Sequence, residues 1–205
     1  MQIQAIEQLA PDLIFADQNE NRPEEIKALQ KNFKVVLFDV RSVQAVIDAV
    51  SAIARLAENP GTGDKLITAI KTEYDINRHA AIAPPVPTLA LLWNLPYLTI
   101  NFDTYISRLI ESSGGYNVFH QDPIREFPVD LEDLIEKNPA LLLLPKTPYP
   151  FSSRHVKRFR EYRVFSKIPI HLVDGRLFSR FGPRTAEALK TFREILVEAH
   201  KAVPS

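Results

Sequence analysis

A helical pattern, a proline and a short apolar strand occur twice in this chain, with Pro11 and Pro139 as the matching prolines, 128 positions apart. The first copy is IQAIEQLAPDLIF, residues 3–15, and the second is LEDLIEKNPALLL, residues 131–143. Proline ends each helix because it lacks an N–H and disfavours helical geometry in the residue before it. The apolar run that follows is short enough for a strand buried on both faces. The succession continues in both copies. Helical EEIKALQKN leads to a strand at 34–38 and a helix capped by Ser42, and helical RHVKRFREY leads to a strand at 168–173 and a helix opening near Pro183. A duplicated unit of this kind predicts an α/β fold of two Rossmann-like lobes with a cleft between them.

The copies are unequal. A strand (TLALLW, 88–93) and a helix (about 104–112) precede the second copy, and nothing precedes residue 3 in the first. The N-terminal lobe is therefore expected to be incomplete, with an unpaired parallel edge and with Met1 a late start. The rival expectation is one complete domain with a small satellite lobe. The predicted organisation is a partial first lobe over 1–60, a connecting helix over 61–79 and a second lobe over 80–205. NPGTG (59–63) reads as a break, so the strongest periodicity in the connector spans 64–78. NVFHQDPIREFP (117–128) reads as a loop.

Composition narrows the function. Lys plus Arg and Asp plus Glu are 25 each, so no net field draws nucleic acid or an anionic membrane. Arg154, Lys157, Arg158, Arg160 and Arg163 fall at the spacing of a solvated helix face. The absence of cysteine excludes disulfides, thiolate metal sites and cysteine nucleophiles. His79, His120, His155, His171 and His200 are scattered without metal-ligand spacing, so no direct metal site is expected. No Ser/His/Asp arrangement stands out, and no catalytic residue is assigned. No apolar run approaches the roughly 20 residues that span a bilayer, so no membrane insertion is expected. The N-terminus lacks the charged and apolar regions of an export signal.

Ligands of open α/β sheets sit beyond the carboxyl ends of the strands. That rule selects Trp93, Asn94 and Tyr97 after the first strand of the second lobe. It selects Lys146, Thr147, Tyr149 and Phe151 after the next, then Asp174, Phe178, Arg180 and Phe181. In the first lobe it selects Asp17, Gln18, Asn19, Asp39 and Arg41. Aromatic rings among a few polar groups suit a large, flat, partly polar ligand, whose anionic groups Arg180 and Lys146 could meet.

Five stretches, in order, carry a family resemblance: PDLIFADQNENRPEEIKAL (11–29), WNLPYLTINFDTYISRLIESSGGYNVF (93–119), PVDLEDLIEKNPALLLLP (128–145), TPYPF (147–151) and VDGRLFSRFGPR (173–184). Together they resemble the class III substrate-binding proteins of ABC importers, in the helical-backbone metal receptor group and nearest its corrinoid-binding members. The resemblance implies two lobes joined by one long helix and small closure on binding. It implies no enzymatic activity and no required cofactor. The implied ligand is a corrinoid, a siderophore or another metal chelate, held by Trp93, Tyr97, Tyr149, Phe151, Phe178, Arg180, Phe181 and Asp17. The implied partner is an ABC permease, docked through Glu20 or Glu24. The implied location is periplasmic or otherwise extracytoplasmic. Asp17 and Leu37 stand where corrinoid-binding members carry aromatic clamps, and the second-lobe docking acid falls near Ser179, which is not acidic. The alternative is a cytoplasmic cofactor-handling or regulatory two-lobed protein without a transport role.

Overall fold

A computed structural model describes residues 2–80 and 82–202. In the first lobe, α1 (Ile3–Leu9) leads to β1 (Ile14–Asp17), then α2 (Pro23–Gln30), β2 (Val35–Phe38) and α3 (Val43–Leu56). A 20-residue helix, α4 (Pro60–His79), crosses to the second lobe. There follow β3 (Val86–Ala90), β4 (Tyr97–Ile100), α5 (Tyr105–Ser112), β5 (Gly115–Asn117), β6 (Glu126–Val129), α6 (Leu131–Glu136) and β7 (Leu141–Pro145). The chain ends through α7 (Ser153–Arg160), α8 (Arg163–Ser166), β8 (Ile170–Val173), α9 (Gly175–Ser179) and α10 (Thr185–Ala202).

The repeat is structural. Parallel β1–β2 and parallel β7–β8 are its two cores. The second lobe extends its copy into a four-stranded parallel sheet of order β5-β3-β7-β8. Among the described residues, β1 and β2 pair only with each other. Phe15 and Leu37 on them stay 40% and 39% exposed.

The leucine run of β7 shows why that segment lacks a two-residue alternation. Leu141 and Leu143 enter one core with α3, α4, α5 and α10, while Leu142 and Leu144 enter a second core with Tyr97, Phe127 and Phe165. Both faces of the strand are covered, so every position is apolar. The first core includes side chains from α3 to α10, which makes it the common packing layer of the two lobes.

Local chemistry sets the helix ends. Ser42 accepts the Ala45 N–H at 3.1 Å, Thr104 accepts the Ser107 N–H at 3.2 Å, and Pro23 occupies the start of α2. Two expectations are corrected. The break at 59–63 is helix: Asn59 caps α4 and Pro60 opens it. Gly63 is there for proximity, since a Cβ would overlap the Ala54 side chain of α3. The loop at 117–128 runs into a strand, because β6 pairs antiparallel with β4 from Glu126 onward. Pro128 is tolerated since β6 has no other partner among the described strands.

Candidate functional site

The carboxyl ends of β1, β2 and β7 meet at a cleft between the lobes, with a cavity of about 220 Å³. Asp17, Asn19, Glu20 and Val40 line it from the first lobe. Tyr105, Arg125, Glu126, Thr147, Phe178 and Phe181 are among those lining it from the second. The lining combines aromatic and aliphatic side chains with polar ones from both lobes, the pattern of a site that binds by area and orients by a few polar groups.

Each polar group is placed by its local chain. Asp17 accepts the Asn19 N–H at 2.6 Å, and its carbonyl accepts the Asn21 side-chain amide at 2.7 Å, which folds the chain back over the end of β1. Glu20 sits at the cleft edge with its carboxyl held above the usual range, first by desolvation and then by the charges of Asp17 and Glu126; Arg125 opposes the shift. Tyr105 is buried at the start of α5 and its hydroxyl lies 2.9 Å from the Thr185 hydroxyl. Burial pushes its phenol up to about 12, so it meets any ligand as a neutral group.

Five polar side chains form a ring across the lobes. Arg41 donates Nε to Asp39 at 2.5 Å, and Nη1 to both carboxylate oxygens of Asp103 at 2.9 and 2.7 Å. Arg125 donates Nη1 to Asn19 Oδ1 at 2.5 Å, and its Nε lies 3.8 Å from Asp103. Asn19 closes the ring by donating Nδ2 to Asp39 at 3.0 Å. Asn19, Asp39 and Arg41 belong to the first lobe, and Asp103 and Arg125 to the second. Buried Asn101 mounts the second half: its Oδ1 accepts the Asp103 N–H at 2.8 Å and its own N–H donates to the Arg125 carbonyl at 2.9 Å. Hydrogen bonding from Arg41, then from Asn19, holds the Asp39 carboxyl below its usual range.

The expected binding residues divide. Asp17, Phe178 and Phe181 line the cavity. Trp93 lies beside it, following Leu92 of the lining. It is 40% exposed and meets Tyr149 edge-on at 5.2 Å. The Tyr149 hydroxyl receives the Asn94 amide at 2.9 Å and lies 3.1 Å from His155 Nε2. The Ser152 N–H donates to His155 Nδ1 at 3.1 Å, so the proton of that ring is on Nε2 and points at Tyr149. Three residues are not brought to the cleft. Tyr97 is only 6% exposed in β4 and packs on Phe159, because β4 turns its side chain into the second core. Phe151 is 3% exposed behind Tyr149 and His155. Arg180 is exposed at the end of α9 and is not part of the lining. Both expected docking acids are exposed: Glu24 stands on the first turn of α2, and Glu20 also belongs to the cleft lining. The side chain of Ser179 lies outside those described.

Asp174 starts α9, which carries Phe178 into the cleft. Its carboxylate accepts the Arg176 N–H at 2.9 Å and pairs with the Arg176 guanidinium, which holds its pKa down at about 2. A carboxyl depressed in the folded state stabilises it above the ordinary carboxylate pKa and loses that contribution as pH falls through the folded value. We therefore expect Asp174→Asn to lower stability by a constant amount above about pH 5 and by progressively less towards about pH 2. Urea midpoints of both proteins across that range check this, and parallel curves would disprove it. Gly175 follows because a Cβ there would strike the Thr147 carbonyl of the opposing loop.

The arrangement has counterparts among known proteins. Residues 2–169 match the family described as "Periplasmic binding protein". This chain belongs to the periplasmic binding protein family. It is 25% identical over 183 residues to the vitamin B12-binding protein of Pectobacterium carotovorum subsp. carotovorum (strain PC1), covering 86% of this chain and 64% of that protein. It is 23% identical over 203 residues to the vitamin B12-binding protein of Vibrio cholerae, covering 97% of this chain and 73% of the relative. The chain thus spans less than two thirds of the length of the first of these relatives. Its fold matches the periplasmic heme-binding protein RhuT from Roseiflexus sp. RS-1, with a TM-score of 0.79 at 20% identity, over 98% of this chain and 80% of that one. It also matches the periplasmic vitamin B12 binding protein BtuF of Vibrio cholerae, with a TM-score of 0.78 at 22% identity and the same coverage. The two-lobed α/β fold with a connecting helix is therefore a known binding-protein architecture.

Proposed function

We propose that this protein is the substrate-binding component of an ABC importer. It captures a metal chelate of the corrinoid, heme or siderophore kind between its lobes and delivers it to the permease outside the cytoplasm. The observation that carries this reading is the cleft itself. The rings of Tyr105, Phe178 and Phe181 line it together with polar side chains from both lobes at the carboxyl ends of the strands. The vitamin B12-binding and heme-binding relatives support the ligand class. Trp93 and Tyr149, packed edge-on, extend the aromatic surface beside the cleft. Glu24, at the exposed start of α2, is the first-lobe acid we assign to permease docking. No helix among the described residues is long and apolar enough to cross a membrane. The ligand is bound and released without chemistry.

Thermal unfolding with cyanocobalamin, hemin and a ferric hydroxamate siderophore tests the reading. A ligand at one hundred times its Kd adds about 2.7 kcal/mol, which for a chain of this size raises Tm by roughly 5–10 °C. The expected result is such a rise with one of the three, reduced by Phe178→Ala. No rise with any of them would overturn the chelate assignment.

A further inference from the structure

We infer that the interlobe ring of Asn19, Asp39, Arg41, Asp103 and Arg125 is a latch, holding the lobes together over the cleft until a ligand larger than the present cavity displaces it. Three observations carry this. The ring is the polar link that joins the carboxyl ends of β1 and β2 to the second lobe, and it closes on itself: each member bonds or ion-pairs with the next. Asn19 and Arg125 also line the cavity, so the latch and the binding surface share side chains. Finally, the cavity beneath it holds about 220 Å³, below the roughly 300–1,000 Å³ of sites that enclose drug-sized ligands. A chelate cannot seat there until the ring gives way.

The bonds of the ring are suited to opening. Asp39, Arg41, Asp103 and Arg125 keep between 29% and 42% of their side-chain surface in water, so each broken pair is rehydrated. The second-lobe half rides on buried Asn101 and does not need to move. The first-lobe half sits on two short loops. Opening therefore amounts to freeing Arg41 and Asn19 from Asp103 and Arg125, and the apparent affinity of any large ligand falls by the fraction of molecules that are latched.

The test begins without ligand and so does not depend on the chelate assignment, on which only the ligand's nature rests. The chain has no cysteine, which allows spin labels at Lys27→Cys on α2 and Lys157→Cys on α7, both exposed. Pulsed electron-electron resonance reports the distance between the lobes. We expect one narrow distribution for the otherwise unaltered chain. Asp103→Asn should lengthen and broaden it, as should Asn19→Ala, a milder change that tests the other side of the ring. Distributions that stay unchanged in both folded variants would overturn the latch. With cyanocobalamin or hemin as probe, Asp103→Asn should bind about fivefold more tightly, the value of one partly exposed pair. Weaker binding by that variant would make Asp103 a ligand contact and would also overturn the proposal. Distances that lengthen while neither probe binds any variant would support the latch and count against the chelate assignment.

Discussion

Phe192→Ala is expected to lower the free energy of unfolding by about 3–5 kcal/mol, the range for removing a fully buried phenylalanine. Phe192 lies on α10 with no exposed surface, and Leu189 and Leu196 stand one turn to either side, equally buried. The six ring atoms beyond Cβ are lost from contact, and the neighbours that would have to fill the space belong to several elements of the core common to both lobes. Collapse is therefore partial, which is the condition for a large cavity cost. The effect should also reach the cleft. Phe192 meets Phe178 edge-on at a centroid distance of 5.3 Å, and Phe178 lines the cavity. With its neighbour gone, Phe178 gains freedom, and any ligand resting on it should bind more weakly even though Phe192 touches no ligand. Phe192→Leu keeps most of the volume and should cost less than half as much. Urea unfolding of the two variants decides the matter. Equal losses, or a loss below about 1.5 kcal/mol for the alanine variant, would show that the helix repacks freely.

How legible the sequence was depended on whether a signal was local. The β7 strand was readable because four leucines after a proline fit no amphipathic period and are too few for a helix. The helix start at Ser42 was readable because capping is settled within three residues. The opening of α4 was not. Gly61 and Gly63 carry the composition of a break, and the reason for Gly63 is Ala54 on another helix. The β4–β6 pair was hidden because Pro128 reads as a breaker until its lack of a second strand partner is known. In the cleft, the strand-end rule selected loops that reach the cavity, and Asp17, Phe178 and Phe181 among its choices line it. Tyr97 and Phe151 look in sequence like Phe178 and Phe181, and only the fold separates the core aromatics that reach the cleft, such as Phe178, from those that pack away from it. The ring was beyond reach, since Arg41 and Asp103 are 62 residues apart and Asn19 and Arg125 are 106 apart. Nothing near either residue announces such a partner.

Arg193→Met should be the most damaging change outside the apolar core, because it removes one cation from two buried acceptors. Arg193 on α10 pairs with Glu73 of α4 at 2.8 Å and donates to the Asn77 side-chain oxygen on the next turn of the same helix. The Arg193 and Glu73 side chains keep only 16% and 22% of their surface in water. The amide of Asn77 in turn donates to the Ser113 hydroxyl at 3.1 Å and to the Leu189 carbonyl at 3.3 Å, which ties α4, α10 and the end of α5 at one point. Without the guanidinium, the Glu73 carboxylate and the Asn77 carbonyl lose their positive partner in a largely dry site, a loss of about 3 kcal/mol. The double change Arg193→Met with Glu73→Leu should recover much of that, since replacing both members of such a pair by apolar groups is far less costly than removing one. Chemical denaturation of the single and double variants measures the difference. If the double variant is no more stable than Arg193→Met alone, the uncompensated carboxylate is not the source of the loss. The same clamp bears on how the lobes move. This network fixes α4 on the second lobe, and the close approach of Gly63 to Ala54 fixes its other end on the first. A connector held at both ends permits little hinge rotation. Release of the ring of Arg41 and Asp103 then parts the lobes by a small displacement about this connector, and that displacement together with the freed side chains makes the room a large ligand needs.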